Sequence, residues 1–174
     1  MIWISAISLI FLILIALSDF KNRQIPIAYL LGETIVSFCL GYSLIGVLIL
    51  KCAVTNFMII TFQILILWGY IKIEYHKSDK SLWAKFGKGD VFMLAISALN
   101  LSALNYLLFI ILMSFMSLII WSGFIKMWKI SNSTIPFAGF IAIGLMILRI
   151  LMIIGCEMNF YSDNYILNSI YGIY

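Results

Sequence analysis

Two aspartates border long uncharged segments, and their positions make them the strongest candidates for chemistry in this sequence. Asp19 follows the uncharged run 2–18, and Asp90 precedes the uncharged run 91–125. Two carboxyl groups held close together cannot easily both ionise, so one of them keeps a proton and the pair titrates as a unit. The ionised group can then take a proton from water while the protonated group polarises a carbonyl, which is the chemistry of aspartic proteases and requires no metal.

The same residues also have an ordinary structural interpretation. Acids are common at helix ends, and Asp90 could simply cap the N-terminus of a helix. If the pair is catalytic, helix dipoles predict how the proton is shared. Asp90 begins a helix, where negative charge is favoured, whereas Asp19 ends one, where it is disfavoured. We therefore expect Asp19 to be the protonated partner.

The elements that carry these aspartates must lie largely in a membrane. Of the 174 residues, 64% are hydrophobic and only 10% are charged, whereas an average soluble domain is about a quarter charged. A bilayer core about 30 Å thick requires about 20 helical residues to cross it. The uncharged runs are continuously apolar and do not alternate with polar residues, which favours helices over a barrel. The sequence therefore predicts an all-α, polytopic membrane helix bundle.

We predict six transmembrane helices in a single membrane-embedded domain over 1–174. A single helix over 91–125 would be about 52 Å long at 1.5 Å per residue, which greatly exceeds the hydrocarbon thickness. Asn100, Ser102 and Asn105 offer a polar break, so we divide this run into a hairpin. The predicted spans are 2–18, 27–46, 53–71, 91–104, 106–125 and 135–155.

The positive charges give this layout a direction. Nine basic residues fall on one side of the membrane, and only Lys51 falls clearly on the other. By the positive-inside rule the side with nine is cytoplasmic, so both termini face outward. Arg149 lies within the last span, and we expect it to extend outward to the interface. The nine residues are Lys21, Arg23, Lys72, Lys77, Lys80, Lys85, Lys88, Lys126 and Lys129.

The sequence around each aspartate narrows the interpretation. Asp90 ends the segment Gly-Lys-Gly-Asp at 87–90, and Asp19 is followed by a basic turn and then Ile-Pro at 25–26. The sixth span begins similarly, with Ile-Pro-Phe at 135–137. In this order, the three segments resemble the type IV prepilin peptidase family, which are membrane aspartic proteases with a G-x-G-D motif. The resemblance covers most of the chain and points to the compact bacterial form.

The resemblance implies a function and a set of site residues. Members of the family cut a short basic leader from prepilins at the cytoplasmic face of the membrane. Asp19 and Asp90 would then be catalytic, and Gly87 and Gly89 would shape the substrate-binding loop, with no cofactor and no metal. The substrate would be a prepilin or pseudopilin, and the surroundings would be the lipid of the bacterial cytoplasmic (inner) membrane.

Some positions depart from the family pattern. Ile27 stands where the family often has Asn, and Phe92 stands where Lys is common. Neither change removes a carboxylate, although either could alter substrate preference. The larger members carry a domain with paired cysteines and also methylate the new pilin N-terminus. The three cysteines here, Cys39, Cys52 and Cys156, are scattered, so methylation is not implied.

Glu33 is the most unusual of the remaining polar residues. It lies about 10 Å into the second span, where an acid is expensive and normally faces protein or water. We consider a bond to Gln63 or another polar side chain, and also a role in recognising the substrate. His76 alone is a poor metal site. The net charge of +4 is distributed as membrane topology requires and does not indicate a nucleic-acid partner.

Two other classes of protein remain open on the sequence alone. A different membrane aspartic protease, such as the lipoprotein signal peptidase, has four spans and works at the outer face, whereas both aspartates here are predicted to be cytoplasmic. A non-enzymatic membrane subunit of a secretion or pilus assembly system would use the same acids only as caps or structural pairs. Cleavage of a prepilin by the purified protein would distinguish these classes.

Overall fold

The computed structural model describes residues 2–74, 87–128, 135–154 and 160–163. These residues form six α-helices and contain no β-strand. The all-α prediction is therefore confirmed. In chain order the helices are α1 (Ile2–Asn22), α2 (Ile27–Ile45), α3 (Leu48–Glu74), α4 (Lys88–Asn100), α5 (Ala103–Trp128) and α6 (Phe137–Ile154).

Five of these helices, all except α4, are long and apolar enough to cross a membrane. The chain is therefore a multi-pass membrane protein. α4 has 13 residues, or about 20 Å at 1.5 Å per residue, which is too short to cross a bilayer alone. The predicted fourth crossing is thus a short helix packed among longer ones. α1 also continues past the predicted end at 18, so Asp19 lies within its last turn.

A break at 101–102 separates α4 from α5, and buried polar side chains satisfy its backbone. Asn56, fully buried on α3, donates from Nδ2 to two carbonyl oxygens at the end of α4, at 2.9 and 2.7 Å. At the start of α5, the carboxylate of Asp163 accepts from the N–H of Leu104 at 3.1 Å. Non-helical backbone at membrane depth requires such protein partners. The predicted hairpin is confirmed.

The bundle is organised around α1 and α6, which pack against each other more extensively than any other pair of helices. α2 and α4 complete an apolar core with them, in which Leu12, Ile15, Met93 and Ile141 are fully buried. Large apolar side chains also cover the outside of the bundle, as lipid contact requires.

A buried polar network crosses this core at mid-height. Oε1 of Glu33 accepts hydrogen bonds from the hydroxyls of Ser8 and Ser37, both at 2.8 Å. The same hydroxyls accept from the Arg149 guanidinium, both at 3.3 Å, and Arg149 also donates to Oδ1 of Asn100. The prediction that Arg149 extends outward is wrong, because its side chain is only 3% exposed and its donors are used inside the bundle.

Several predictions fall outside the described residues. They concern His76, Cys156 and four of the nine basic residues, and of Lys126 only the backbone is described. Among the basic residues that are described, Lys21, Lys72 and Lys88 belong to the ends of α1 and α3 and the start of α4, whereas Lys51 belongs to the start of α3. The four residues outside the description are Lys77, Lys80, Lys85 and Lys129.

Candidate active site

Three helix ends meet at one face of the bundle and bring the two predicted aspartates together. Asp19 lies in the last turn of α1 and Asp90 in the first turn of α4. Both side chains point to the N-terminus of α6, where the first backbone N–H groups have no partner within the helix. The start of a third helix, α6, therefore brings Asp19 and Asp90 together.

The two carboxylates bind neighbouring backbone amides. Oδ1 of Asp90 accepts from the N–H of Ala138 at 2.8 Å, and Oδ2 of Asp19 accepts from the N–H of Gly139 at 2.7 Å. Consecutive Cα atoms are only about 3.8 Å apart. The carboxyl groups must consequently lie side by side, at the positive end of the α6 dipole.

Sequence reasoning missed the part that Ala138 and Gly139 play. The segment Ile-Pro-Phe at 135–137 indicates the start of a helix and contributes to the family resemblance, but a free backbone N–H cannot be recognised from residue types. One signal was available, because Pro136 immediately before the helix fixes where α6 begins and hence which amides are left free. The second and third residues of α6, Ala138 and Gly139, are small and allow other segments of the chain to approach those amides.

Gly139 allows this close approach. A Cβ atom at that position would lie 2.9 Å from Cε2 of Phe20 and 3.2 Å from Oδ2 of Asp19. The Phe20 ring also packs edge-to-face on Phe140, with ring centroids 5.3 Å apart. The absence of a side chain at 139 thus lets the end of α1 sit against the start of α6.

Gly87 and Gly89, the glycines expected to shape the substrate-binding loop, both line the cavity beside the site. Neither has a positive φ, so no left-handed turn requires them. Gly87 precedes α4, and its N–H donates to Oδ2 of Asp90 at 3.2 Å. A Cβ atom at Gly89 would lie 2.9 Å from Cδ1 of Ile25. Gly89 is therefore suited to close packing against the turn that follows α1.

Arg23 supplies positive charge next to the two carboxylates. It follows α1 with a φ of 55°, in the left-handed region that residues other than glycine rarely adopt. Its N–H donates to the carbonyl of Asp19 at 3.1 Å, and its guanidinium lies over the ring of Trp121 on α5, 4.5 Å from the centroid. This cation–π contact holds the charge where it acts on both Asp19 and Asp90.

Asp90 precedes the apolar part of α4, and its environment favours retention of a proton. Burial is the main reason that the pKa of Asp90 is raised, to about 6, and the negative charge of Asp19 raises it further. The N–H donors of Ala138 and Gly87 and the charge of Arg23 act in the opposite direction. A carboxyl group with such a pKa can exchange protons near neutral pH.

A cavity of about 840 Å³ opens beside the carboxylates and continues into the apolar part of the bundle. Asp19, Asp90 and Arg23 line its polar end. Gly87, Gly89, Ile27 and Phe92 also line it, and its apolar wall includes Leu30, Ile64 and Ile110. The cavity thus combines a pair of acids with a surface that can hold an apolar chain.

Glu33, considered as a substrate-binding residue, is not among the residues that line this cavity. Its side chain is fully buried and is bonded to Ser8 and Ser37, not to Gln63. Gln63 instead lines the cavity. We therefore assign Glu33 to the network inside the bundle.

The arrangement of helix ends changes the expectation for the shared proton. The dipoles of α1 and α4 favour a protonated Asp19, as predicted from the sequence. However, both carboxylates also face the N-terminus of α6, which stabilises negative charge on either one. Helix ends alone consequently do not distinguish the two residues, and the pair is best treated as one unit.

No protein-family model matches the sequence, and neither a curated protein nor a solved structure matches it. Function must therefore be inferred from the geometry of this site and from the motifs around it.

Proposed function

We propose that the protein is a membrane aspartic endopeptidase of the prepilin peptidase type. It would remove the short basic leader of a prepilin or pseudopilin at the cytoplasmic face of the bacterial inner membrane. The observation that carries the proposal is the pairing of Asp19 and Asp90 on neighbouring amides of α6, next to an apolar cavity. A pair of acids used only as helix caps does not require such a cavity.

In the proposed reaction, the carboxyl pair holds one proton and positions one water molecule. The ionised carboxylate takes a proton as the water oxygen bonds to the peptide carbonyl carbon, and the protonated carboxyl group gives its proton to the carbonyl oxygen. As the resulting tetrahedral intermediate collapses, the C–N bond breaks and the leaving amine takes a proton from the pair. One hydroxyl of the intermediate returns its proton to the pair, which again holds one proton. Arg23 lies close enough to influence the charge of both acids.

The apolar wall of the cavity suits the membrane segment that follows a prepilin leader. Leu30, Ile64 and Ile110 belong to three different helices, so a substrate segment could lie between them with its polar leader at the acids. Ile27 and Phe92, which depart from the family pattern, also line the cavity. Substrate preference would therefore differ from that of relatives with Asn and Lys at these positions.

Substitution of either aspartate tests the proposal directly. Asp19→Asn and Asp90→Asn keep the size and most of the polarity of the side chain but cannot exchange a proton. We expect each variant to lose cleavage of a purified prepilin in detergent by at least about 10²-fold, because acid–base catalysis is removed. Appearance of the shortened pilin on a gel measures the rate.

Asp163→Asn is a matched control, because it makes the same chemical change away from the site. Its Oδ1 can still accept the hydrogen bond from the N–H of Leu104. Full processing by either site variant would eliminate the aspartic mechanism. If the unaltered protein cleaves none of several pilins and pseudopilins, a non-enzymatic membrane subunit becomes the better explanation.

A further inference from the structure

The buried network and the acid pair lie on the same three helices at the same spacing. Each helix carries one residue of the network and one of the site, ten or eleven positions apart. Three helical turns contain 10.8 residues, so the two residues of each helix are separated by about three turns, or about 16 Å along the helix axis. The pairs are Ser8 and Asp19 on α1, Asn100 and Asp90 on α4, and Arg149 and Gly139 on α6.

We propose that the network around Glu33 and Arg149 positions the acid pair by fixing the rotation and height of α1, α4 and α6. Arg149 on α6 bonds to Ser8 on α1 and to Asn100 on α4, so one guanidinium connects the three helices. Glu33 on α2 holds Ser8 at 2.8 Å on the opposite side. This positioning does not depend on the proposed function, but the expected effect on prepilin cleavage rests on the proposed function.

The geometry of the acid pair explains why such positioning is needed. The carboxylates of Asp19 and Asp90 reach consecutive amides of α6, at 2.7 and 2.8 Å. Rotation of α6 by one residue position would move both of these amides by about 100° around the helix axis, away from their carboxylates, since a helix has 3.6 residues per turn. Apolar packing alone tolerates small rotations, because lipid-facing and core side chains are both apolar. Directional hydrogen bonds do not tolerate them.

Stability alone does not account for the buried charges. Oε2 of Glu33 is buried and has no hydrogen-bond partner among the described residues, which costs free energy. Apolar residues of similar volume often replace buried ion pairs with no loss of stability. What they cannot replace is the fixed geometry that the serines, Asn100 and the guanidinium share.

The decisive variant is the double substitution Glu33→Met/Arg149→Met, which removes both charges together. Because no uncompensated charge is left, we expect the protein to insert and fold. Its unfolding temperature should fall only by the effect of the hydrogen bonds that the buried Ser8, Ser37 and Asn100 lose. The hydrogen bonds from Ala138 and Gly139 to the carboxylates should nevertheless weaken. Hydrogen–deuterium exchange of the peptide that contains the start of α6 should then become several times faster.

The same variant should lose kcat by about tenfold or more with little change in KM, because a small displacement of catalytic groups lowers the rate steeply. Ser97→Ala is the matched control, since the Ser97 hydroxyl is buried on α4 and, among the residues that the structure describes, bonds only to the Leu94 carbonyl of its own helix. The control should change neither exchange nor kcat.

The outcomes separate the two proposals. If the double variant folds with unaltered exchange at the start of α6, the positioning role is wrong, whatever the protein catalyses. If exchange increases but the unaltered protein cleaves no prepilin, the positioning role stands and the peptidase proposal fails. If the double variant does not fold, the network is structural and the positioning role is wrong. A second variant, Arg149→Lys, keeps the positive charge but not the planar fork of the guanidinium. If Arg149→Lys folds and keeps full kcat, the positioning role is also wrong.

Discussion

At the scale of single residues, the acid pair predicts a particular dependence of cleavage on pH. The pKa of Asp90 is raised to about 6, chiefly by burial. Because the negative charge of Asp19 contributes to this shift, Asp90 loses the last proton of the pair near this pH. Above it both carboxylates are ionised, and no protonated group is left to give its proton to the peptide carbonyl oxygen. We therefore expect kcat/KM to fall about tenfold per pH unit on the alkaline side of pH 6.

Rates of prepilin cleavage measured from about pH 4 to about pH 8 would define this limb of the profile. The pair is coupled, so the apparent pKa belongs to both acids. Removal of the positive charge by Arg23→Gln should move the alkaline limb to higher pH, since Arg23 lowers the pKa of Asp90. Lys21→Gln, which removes an exposed charge two positions away, is the control. A flat rate across this range would contradict the assignment.

Gly139 provides a second test at the residue scale. In Gly139→Ala the new methyl group would lie 2.9 Å from the Phe20 ring and 3.2 Å from the Asp19 carboxylate. We expect the end of α1 to move away from α6, with at least about a tenfold lower cleavage rate. Gly123→Ala is the matched control, because a Cβ there meets nothing within 4 Å. Equal rates for both variants would show that the close approach is dispensable.

At the scale of helices, the short α4 depends on a cap that comes from another helix. Asn56 on α3 supplies two hydrogen bonds to the last carbonyls of α4. Asn56→Ala would leave both carbonyls buried without this donor, at a cost of about 2 kcal/mol or more. Thermal unfolding in detergent should occur at a lower temperature. Thr61→Ala on the same helix removes an exposed hydroxyl that bonds within the helix and should change little.

The hairpin of α4 and α5 could be predicted from the sequence, whereas its exact stabilisation could not. The length of the run 91–125 and the polar residues Asn100 and Ser102 were enough to indicate a break. The partners of that break, Asn56 and Asp163, are distant in the sequence. Nothing in an isolated helix indicates which distant side chain will reach its end.

Arg149 shows the same limit for the buried network. Hydropathy depends on the depth of a charge in the membrane and on the length of its side chain, and on this basis Arg149 was expected to extend outward. Hydropathy contains no information on which face of α6 meets α1 and α4. The acid pair was easier, because Asp19 and Asp90 both border apolar runs at a side that charge placement could identify. Their amide partners on α6 were not predictable from side-chain types.

At the scale of the whole molecule, the helix order makes a prediction about orientation. Lys21 and Lys51 are both exposed and lie toward opposite ends of the bundle. In a cysteine-free variant, Lys51→Cys should react with a membrane-impermeant maleimide from outside the cell, and Lys21→Cys should react only after the membrane is opened. Labelling of both from the same side would refute the predicted topology, and reversed labelling would put the acids at the outer face.

The bonds from α6 to the acids have a consequence for how the protein is made. Asp19 and Asp90 belong to α1 and α4, which leave the ribosome early, whereas the amides of Ala138 and Gly139 are synthesised last of these groups. A nascent chain that stops after α5 has both carboxylates but lacks the donors that hold them together. The arrangement of the acid pair on α6 can therefore arise only once α6 has inserted, so biosynthesis itself would delay the onset of the proposed activity.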